Sequence, residues 1–273
     1  MANTLSDRRA LQAHRARAAR IGDDGAFFLH DEARDEIEER LRDVNRTFTA
    51  PAVVTPHPAR WADVVPGATV VPDDETLALE PGAHDLVIHA MGLHWADDPV
   101  GQLIQCRRAL RPDGLLLVAT FGGETLHELR AALGQAEAET MGGLSPRVAP
   151  MGEIRDLGAL LQRAGLALPV ADATTRTVRY RDLAHLARDL RAMGETNALA
   201  ARHRRTPPRH LFKRAGRIYE EAFPEGDGIA ATYQLVFLTG WVPHESQQRP
   251  LRPGSAQARL ADALGVPELG GDR

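Results

Sequence analysis

The sequence predicts an α/β fold built on an open, mostly parallel sheet with helices on both faces. Three observations predict it. The run DLVIHAM from Asp85 is continuously apolar apart from His89, as a strand covered on both faces is. Asp98-Pro99 reads as an N-cap followed by proline at N1, opening a helical pattern of Val100, Leu103, Ile104 and Leu110 that stops at the turn sequence Arg111-Pro112-Asp113-Gly114. LLLVATF then follows as a second buried strand, and strand, helix, turn and strand within about 40 residues make a βαβ unit with parallel strands and a right-handed connection.

The other elements follow in order. From Asp31, Ala33, Ile37, Leu41 and Val44 form one helical stripe, with acidic residues in its first turn. Ala52-Val53-Val54 and Ala68 to Val71 are brief strands cut off by Pro56 and Pro72. Gly122-Gly123 ends the LLLVATF strand, and a helix beginning at Glu124-Thr125 carries Leu126, Leu129, Leu133 and Ala136 to a cap near Gly142-Gly143. A helix around Ile154, Leu157, Leu160 and Leu161 ends at Gly165, and the alternation of RTVRY predicts a strand. Asp182 caps a helix carrying Leu183, Leu186, Leu190 and Met193, and Pro207-Pro208 opens another, so helices interrupt the strand pattern over about 182–225. TYQLVFLTGWV from Thr232 closes the sheet, and the Pro-, Gly- and Ala-rich end reads as a loose tail.

Composition removes several classes. A formal net charge of -4 gives no global attraction to nucleic acid. No stretch approaches the roughly 20 apolar residues of a membrane span, and MANTLSDRRA lacks the apolar core of a signal peptide, which predicts a cytoplasmic protein. Arg8, Arg9, Arg15, Arg17 and Arg20 read as a solvated helix face, and the single cysteine, Cys106, as a buried structural thiol. The 11 histidines show no spacing that would gather metal ligands on one face, and no GxSxG elbow is present.

In an open α/β sheet ligands bind beyond the carboxyl ends of the strands, which nominates three clusters. Gly92-Leu93-His94-Trp95 follows the best strand, and His94 and Trp95 offer a hydrogen bond and an aromatic wall, or else a hydrophobic plug. Glu124-Thr125 would begin a helix whose free N–H groups bind an anion, or are capped locally. Met193-Gly194-Glu195-Thr196-Asn197 is a polar knot at a helix end, in which helix termination by Gly194 leaves Glu195 and Asn197 unexplained. A nucleotide-like cofactor bound at the first strand-to-helix turn calls for glycines there, yet Val54-Thr55-Pro56-His57-Pro58 has prolines and a histidine in those places.

The ordered set DLVIHAMGLHWADDP, RRALRPDGLLLVATFGGETLHELR, LSPRVAP, RDLGALLQRAG, DLRAMGETNAL, ATYQLVFLTGW and HESQQRP resembles the complex I assembly factor family that hydroxylates an arginine, and more distantly the malonyl-carrier-protein methyltransferases. The resemblance implies a Rossmann-like class I methyltransferase sheet of seven strands with an antiparallel terminal strand. It also implies the cofactor S-adenosylmethionine, held near Thr55, Asp74 (or its neighbour Asp73), His94 and Trp95, and a respiratory complex I subunit as protein client, met by Glu124, Thr125, Glu195 and Asn197. The interval from Thr55 to Asp85 falls short of the roughly 50 residues that two full βα units need, so the first half of the sheet is read as shortened.

The reading divides the chain into an amino-terminal helical segment (1–50), a methyltransferase-like α/β domain (51–245) with its helical insertion, and the tail (246–273). Two functions stay open. One is a methyltransferase-like enzyme with a degenerate glycine-rich cofactor motif. The other is a non-catalytic assembly or binding protein on the same fold.

Overall fold

The structure, a computed structural model, describes residues 4–247. Two helices lead into the sheet, α1 (Arg8–Ile21) and α2 (Phe28–Val44). Asp7 caps α1 by accepting the Ala10 N–H, and Gly22, at φ +64°, ends it in the left-handed conformation that glycine adopts without strain. The predicted stripe of α2 faces inward, with Ala33 and Ile37 fully buried and Leu41 and Val44 packed at the edge of the same cluster.

The sheet then begins with β1 (Pro51–Val54), the single turn α3 (Pro58–Trp61) and β2 (Thr69–Val71). β3 (His84–Ala90), α4 (Pro99–Ala109) and β4 (Leu110–Phe121) are the predicted βαβ unit, followed by α5 (His127–Met141), α6 (Ile154–Arg163) and β5 (Ala167–Tyr180). Helices α7 (Leu183–Met193) and α8 (Arg209–Ala222) precede the short β6 (Pro224–Glu225) and the closing β7 (Gly228–Trp241). The strand order is β2-β1-β3-β4-β7-β5, with β6 hairpinned onto β7. β2, β1, β3 and β4 are parallel, and β7 is antiparallel to both its neighbours.

Strand alternation divides the core between the two faces. Leu86, Ile88, Leu115, Leu117 and Phe237 join Ile37, Leu133 and Ile218 beneath α2, α5 and α8. Val87, Leu116, Val118 and Leu238 join Leu103, Cys106 and Leu161 beneath α4 and α6. Burying each such side chain contributes roughly 1.5–3 kcal/mol, so both faces of the central strands are committed to packing. His89, the polar exception in β3, meets Gln102 of α4 through Nε2 at 2.7 Å, while its Nδ1 is buried without a partner.

The first half of the sheet is short, as expected. α3 is one turn, and residues 72–83 between β2 and β3 contain neither helix nor strand. Three expectations are corrected. Arg111-Pro112-Asp113-Gly114 is a bulge inside β4 rather than a turn before it. The ladder jumps from His84↔Leu110 to Leu86↔Leu115, Asp113 sits at φ +62°, and the Val242 N–H bonds the Gly114 carbonyl at 2.9 Å. β5 starts at Ala167, well before RTVRY, because its length is fixed by pairing with β7 and not by its own hydrophobic pattern. Finally, α5 begins at His127: the segment before it stays paired to β7, through Gly122 N–H to the Gln234 carbonyl and Leu126 N–H to the Thr232 carbonyl, and Leu126 takes φ +55° to leave that pairing.

Residues up to Pro243 form one unit, and in the separate segment from His244 the His244 Nδ1 lies 2.7 Å from the Ser246 hydroxyl. Residues 248–273, nearly all of the predicted tail, lie outside the described residues.

Candidate functional site

Two of the three sequence clusters meet. A 3₁₀ turn, Leu93–Trp95, follows the carboxyl end of β3 and presents His94 and Trp95. From the other side, α7 ends at Gly194, whose φ of +87° reverses the chain; the Glu195 N–H bonds the Leu190 carbonyl, which turns the Glu195 side chain inward. Glu195 Oε2 accepts the Trp95 indole N–H at 2.7 Å and lies 3.2 Å from His94 Nε2. The ring of His94 is almost fully buried, edge-on to Phe121 at 4.9 Å.

Burial alone would push the Glu195 carboxyl up. The His94 charge and hydrogen bond, the Arg15 guanidinium and the Trp95 N–H outweigh it and hold the group at about 2. Its second oxygen, Oε1, has no hydrogen-bond partner. Glu195 stands in the wall of a cavity of about 150 Å³ that also includes Trp95, Phe121, Leu129, Met193 and Tyr233. An ionised carboxylate among three aromatic rings and a thioether has the chemistry to accept a cation with a flat apolar face.

The remaining client-side candidates have other work. Thr125 lines the cavity, but its hydroxyl bonds the Gln234 backbone at 3.2 and 3.1 Å, tying the chain to β7 instead of capping α5. Glu124 is exposed, 3.3 Å from both Thr175 and Gln234, and stands at no helix start, so the anion site expected at this helix N-terminus is not formed by these two residues. Asn197 also lines the cavity, while its amide donates to the Pro146 carbonyl and its carbonyl accepts the Leu199 N–H, fixing the loop.

The cofactor-side candidates are divided. Thr55 is buried, and its hydroxyl accepts the His57 N–H at 3.3 Å. Asp74 is half exposed, 3.7 Å from Arg8. The inward acid is its neighbour Asp73, 4% exposed, whose two oxygens are held by Arg15 Nη1 at 2.7 Å and Nη2 at 3.0 Å. Arg15 therefore does not belong to a solvated face. A Cβ on Gly92 would lie 2.8 Å from Asp73 Oδ2, so the close approach at this glycine is made by the carboxylate. With Pro56 and Pro58 in the first turn and both Asp73 oxygens bonded by Arg15, these residues offer S-adenosylmethionine neither a glycine turn nor a free acid, although a cavity of about 750 Å³ lies beside them, lined by Arg15, Pro56, His57 and Pro58. His57 and His30 lie beside this region with ring centroids 5.0 Å apart; burial, the largest cause for each, drives His57 down to about 4 and His30 well below its ordinary value.

Arg15 and Asp73, 58 residues apart, are the pair that sequence reasoning missed. The only signal available was an acid at the end of a strand and an arginine at a position where α1 turns inward with Leu11 and Ala18.

Residues 52–118 match the methyltransferase domain family. The chain is 37% identical over 210 residues to the arginine-hydroxylase NDUFAF5 of Danio rerio, covering 77% of this chain and 65% of that protein. It is 39% identical over 199 residues to the human arginine-hydroxylase NDUFAF5, covering 72% of this chain and 57% of that protein. A malonyl-[acyl-carrier protein] O-methyltransferase of Laribacter hongkongensis is 35% identical over 187 residues, covering 68% and 61%. The chain thus spans less than two thirds of the length of these relatives. Among the described residues no helix is long and apolar enough to cross a membrane.

Proposed function

We propose, from the premise that this chain belongs to the class I methyltransferase superfamily and is homologous to the arginine-hydroxylase NDUFAF5 proteins, that it receives an arginine side chain of a protein client in the cavity beside Glu195. The observation that carries this reading is the ionised Glu195 carboxylate in the wall of an aromatic cavity. A guanidinium would pair with the Glu195 carboxylate while its flat face lies against Trp95, Phe121 or Tyr233, and the apolar stem would lie along Leu129 and Met193. At about 150 Å³ the cavity is smaller than the roughly 300–1,000 Å³ typical of pockets for drug-sized ligands, which suits a single side chain.

His94 and Trp95 are positioning residues in this reading. They engage one carboxylate oxygen and so hold the Glu195 side chain in the cavity wall. The client we propose is a respiratory complex I subunit, met in the cytoplasm. S-adenosylmethionine, which members of the superfamily use, is carried to this chain by membership alone, since the crevice residues offer no fit to it. No step is therefore assigned to it.

Deleting the gene and complementing with Glu195→Gln tests the proposal in cells. The wild-type gene should restore complex I activity and the variant should not, although both proteins accumulate. Full restoration by Glu195→Gln contradicts it.

A further inference from the structure

The crevice beyond the carboxyl ends of β1, β2 and β3 is where an open α/β sheet takes a nucleotide-like ligand. In this chain α1 crosses it and takes its acid, and a cavity of about 750 Å³ remains between α1 and the first turn, lined by Arg15, Pro56, His57 and Pro58. Arg15 meets both oxygens of Asp73, and Arg8 donates to the Asp73 carbonyl at 2.5 Å. Arg15 and Asp73 are 9% and 4% exposed, so this is a buried, bidentate pair. Separating it would leave a guanidinium and a carboxylate in low dielectric without partners.

The helix that carries Arg15 is fastened on several sides. The Ser6 N–H donates to Asp97 Oδ1 at 2.8 Å, the Asp7 N–H to the Ala198 carbonyl at 2.7 Å, and His14 Nδ1 lies 3.0 Å from the Thr196 carbonyl. One glycine makes room for the arrangement: Gly92 admits the Asp73 carboxylate, where a Cβ would stand 2.8 Å from Oδ2. On the opposite wall, α3 is a single turn opened by Pro58, which leaves no glycine backbone to approach a ligand.

We infer that the acid of this crevice is withdrawn for good by the chain's own first helix, the Arg15 guanidinium meeting the carboxylate that a nucleoside's ribose hydroxyls would otherwise meet, and that the protein works with no S-adenosylmethionine bound there. The inference goes beyond the arginine-receiving cavity, whose walls include neither Arg15 nor Asp73. Either can therefore fail without the other.

The test is a calorimetric titration of the full chain with S-adenosylmethionine and with S-adenosylhomocysteine, together with melting curves at millimolar concentrations of each. Wild-type protein should give no binding heat and no shift in melting temperature. Arg15→Ala and Asp73→Asn should each melt lower than wild type, should still not bind, and in combination should lose less than the sum of their separate losses. Saturable binding by the wild type with a raised melting temperature overturns the inference. Binding acquired by Arg15→Ala overturns it too, because α1 would then be a removable lid. Should either variant fail to fold, the wild-type titration decides alone.

Discussion

The Glu195 carboxylate and the Trp95 indole, 100 residues apart in sequence, are joined by a 2.7 Å hydrogen bond that ties the end of α7 to the turn after β3. Removing the carboxylate strands two buried donors. Glu195→Ala should cost about 1–3 kcal/mol, and Glu195→Gln, which keeps an acceptor, less than that, as measured by urea unfolding.

The same carboxyl has a signature in acid. Its folded value of about 2 lies below the ordinary 4.5, so it contributes stability that is complete above pH 4.5 and lost as pH falls through 2. The stability gap between wild type and Glu195→Gln should narrow across that window. A gap independent of pH would show that Glu195 is not held ionised.

Breaking the buried pair from one side should be costly. Asp73→Ala leaves Arg15 buried without its carboxylate and should lose about 3–5 kcal/mol, while Arg15→Met with Asp73→Leu should recover much of that loss. A double variant that loses as much as the Arg15→Met and Asp73→Leu single variants together would mean that the pair carries no coupling.

Buried histidines set the pH dependence on the other side. His57 titrates at about 4 in the fold against 6.5 unfolded, and His30 and His89 are shifted in the same direction, each chiefly by burial. Between pH 6.5 and 4 the unfolded chain binds more protons, so stability should fall as pH falls through that window, by about 2–3 kcal/mol for His57 alone. His57→Gln should flatten part of the slope in unfolding free energy against pH.

Cys106 is fully buried beneath α4, and burial pushes its thiol up to about 12. A thiol reagent should react with it only on unfolding, at the global unfolding rate. Rapid labelling of native protein would contradict the packing described.

The parts of this fold that were legible in the sequence are those whose pattern is local. β3, α4 and the apolar run of β4 announce themselves because continuous apolar runs and an Asp-Pro cap need no distant partner. The gap after Thr55 likewise foretold a shortened first half. The bulge at Arg111–Gly114 and the early start of β5 did not show, because both are set by ladders to other strands, and the Pro112 turn sequence reads locally as a break.

The site was legible as separate pieces. His94, Trp95 and Glu195 stood out as polar or aromatic residues at element ends, but nothing local says that they touch. Arg15 was misread because an arginine among arginines looks solvated until its partner, Asp73, is brought to it by the sheet. Thr125 was misread for a related reason: its hydroxyl could cap a helix or pair with a strand, and only the position of β7 chooses.

The central claim is that the Glu195 cavity receives a guanidinium side chain. Calorimetric titration of the full chain with an N-alkylguanidinium and with the uncharged alkylurea of the same shape tests it most directly. The guanidinium should bind saturably to wild type, at least about tenfold more weakly to Glu195→Gln, in keeping with the roughly 1.5–3 kcal/mol of a hydrogen bond to a charged group, and the urea should not bind. Equal binding of the urea, or unchanged guanidinium affinity in Glu195→Gln, would contradict the account.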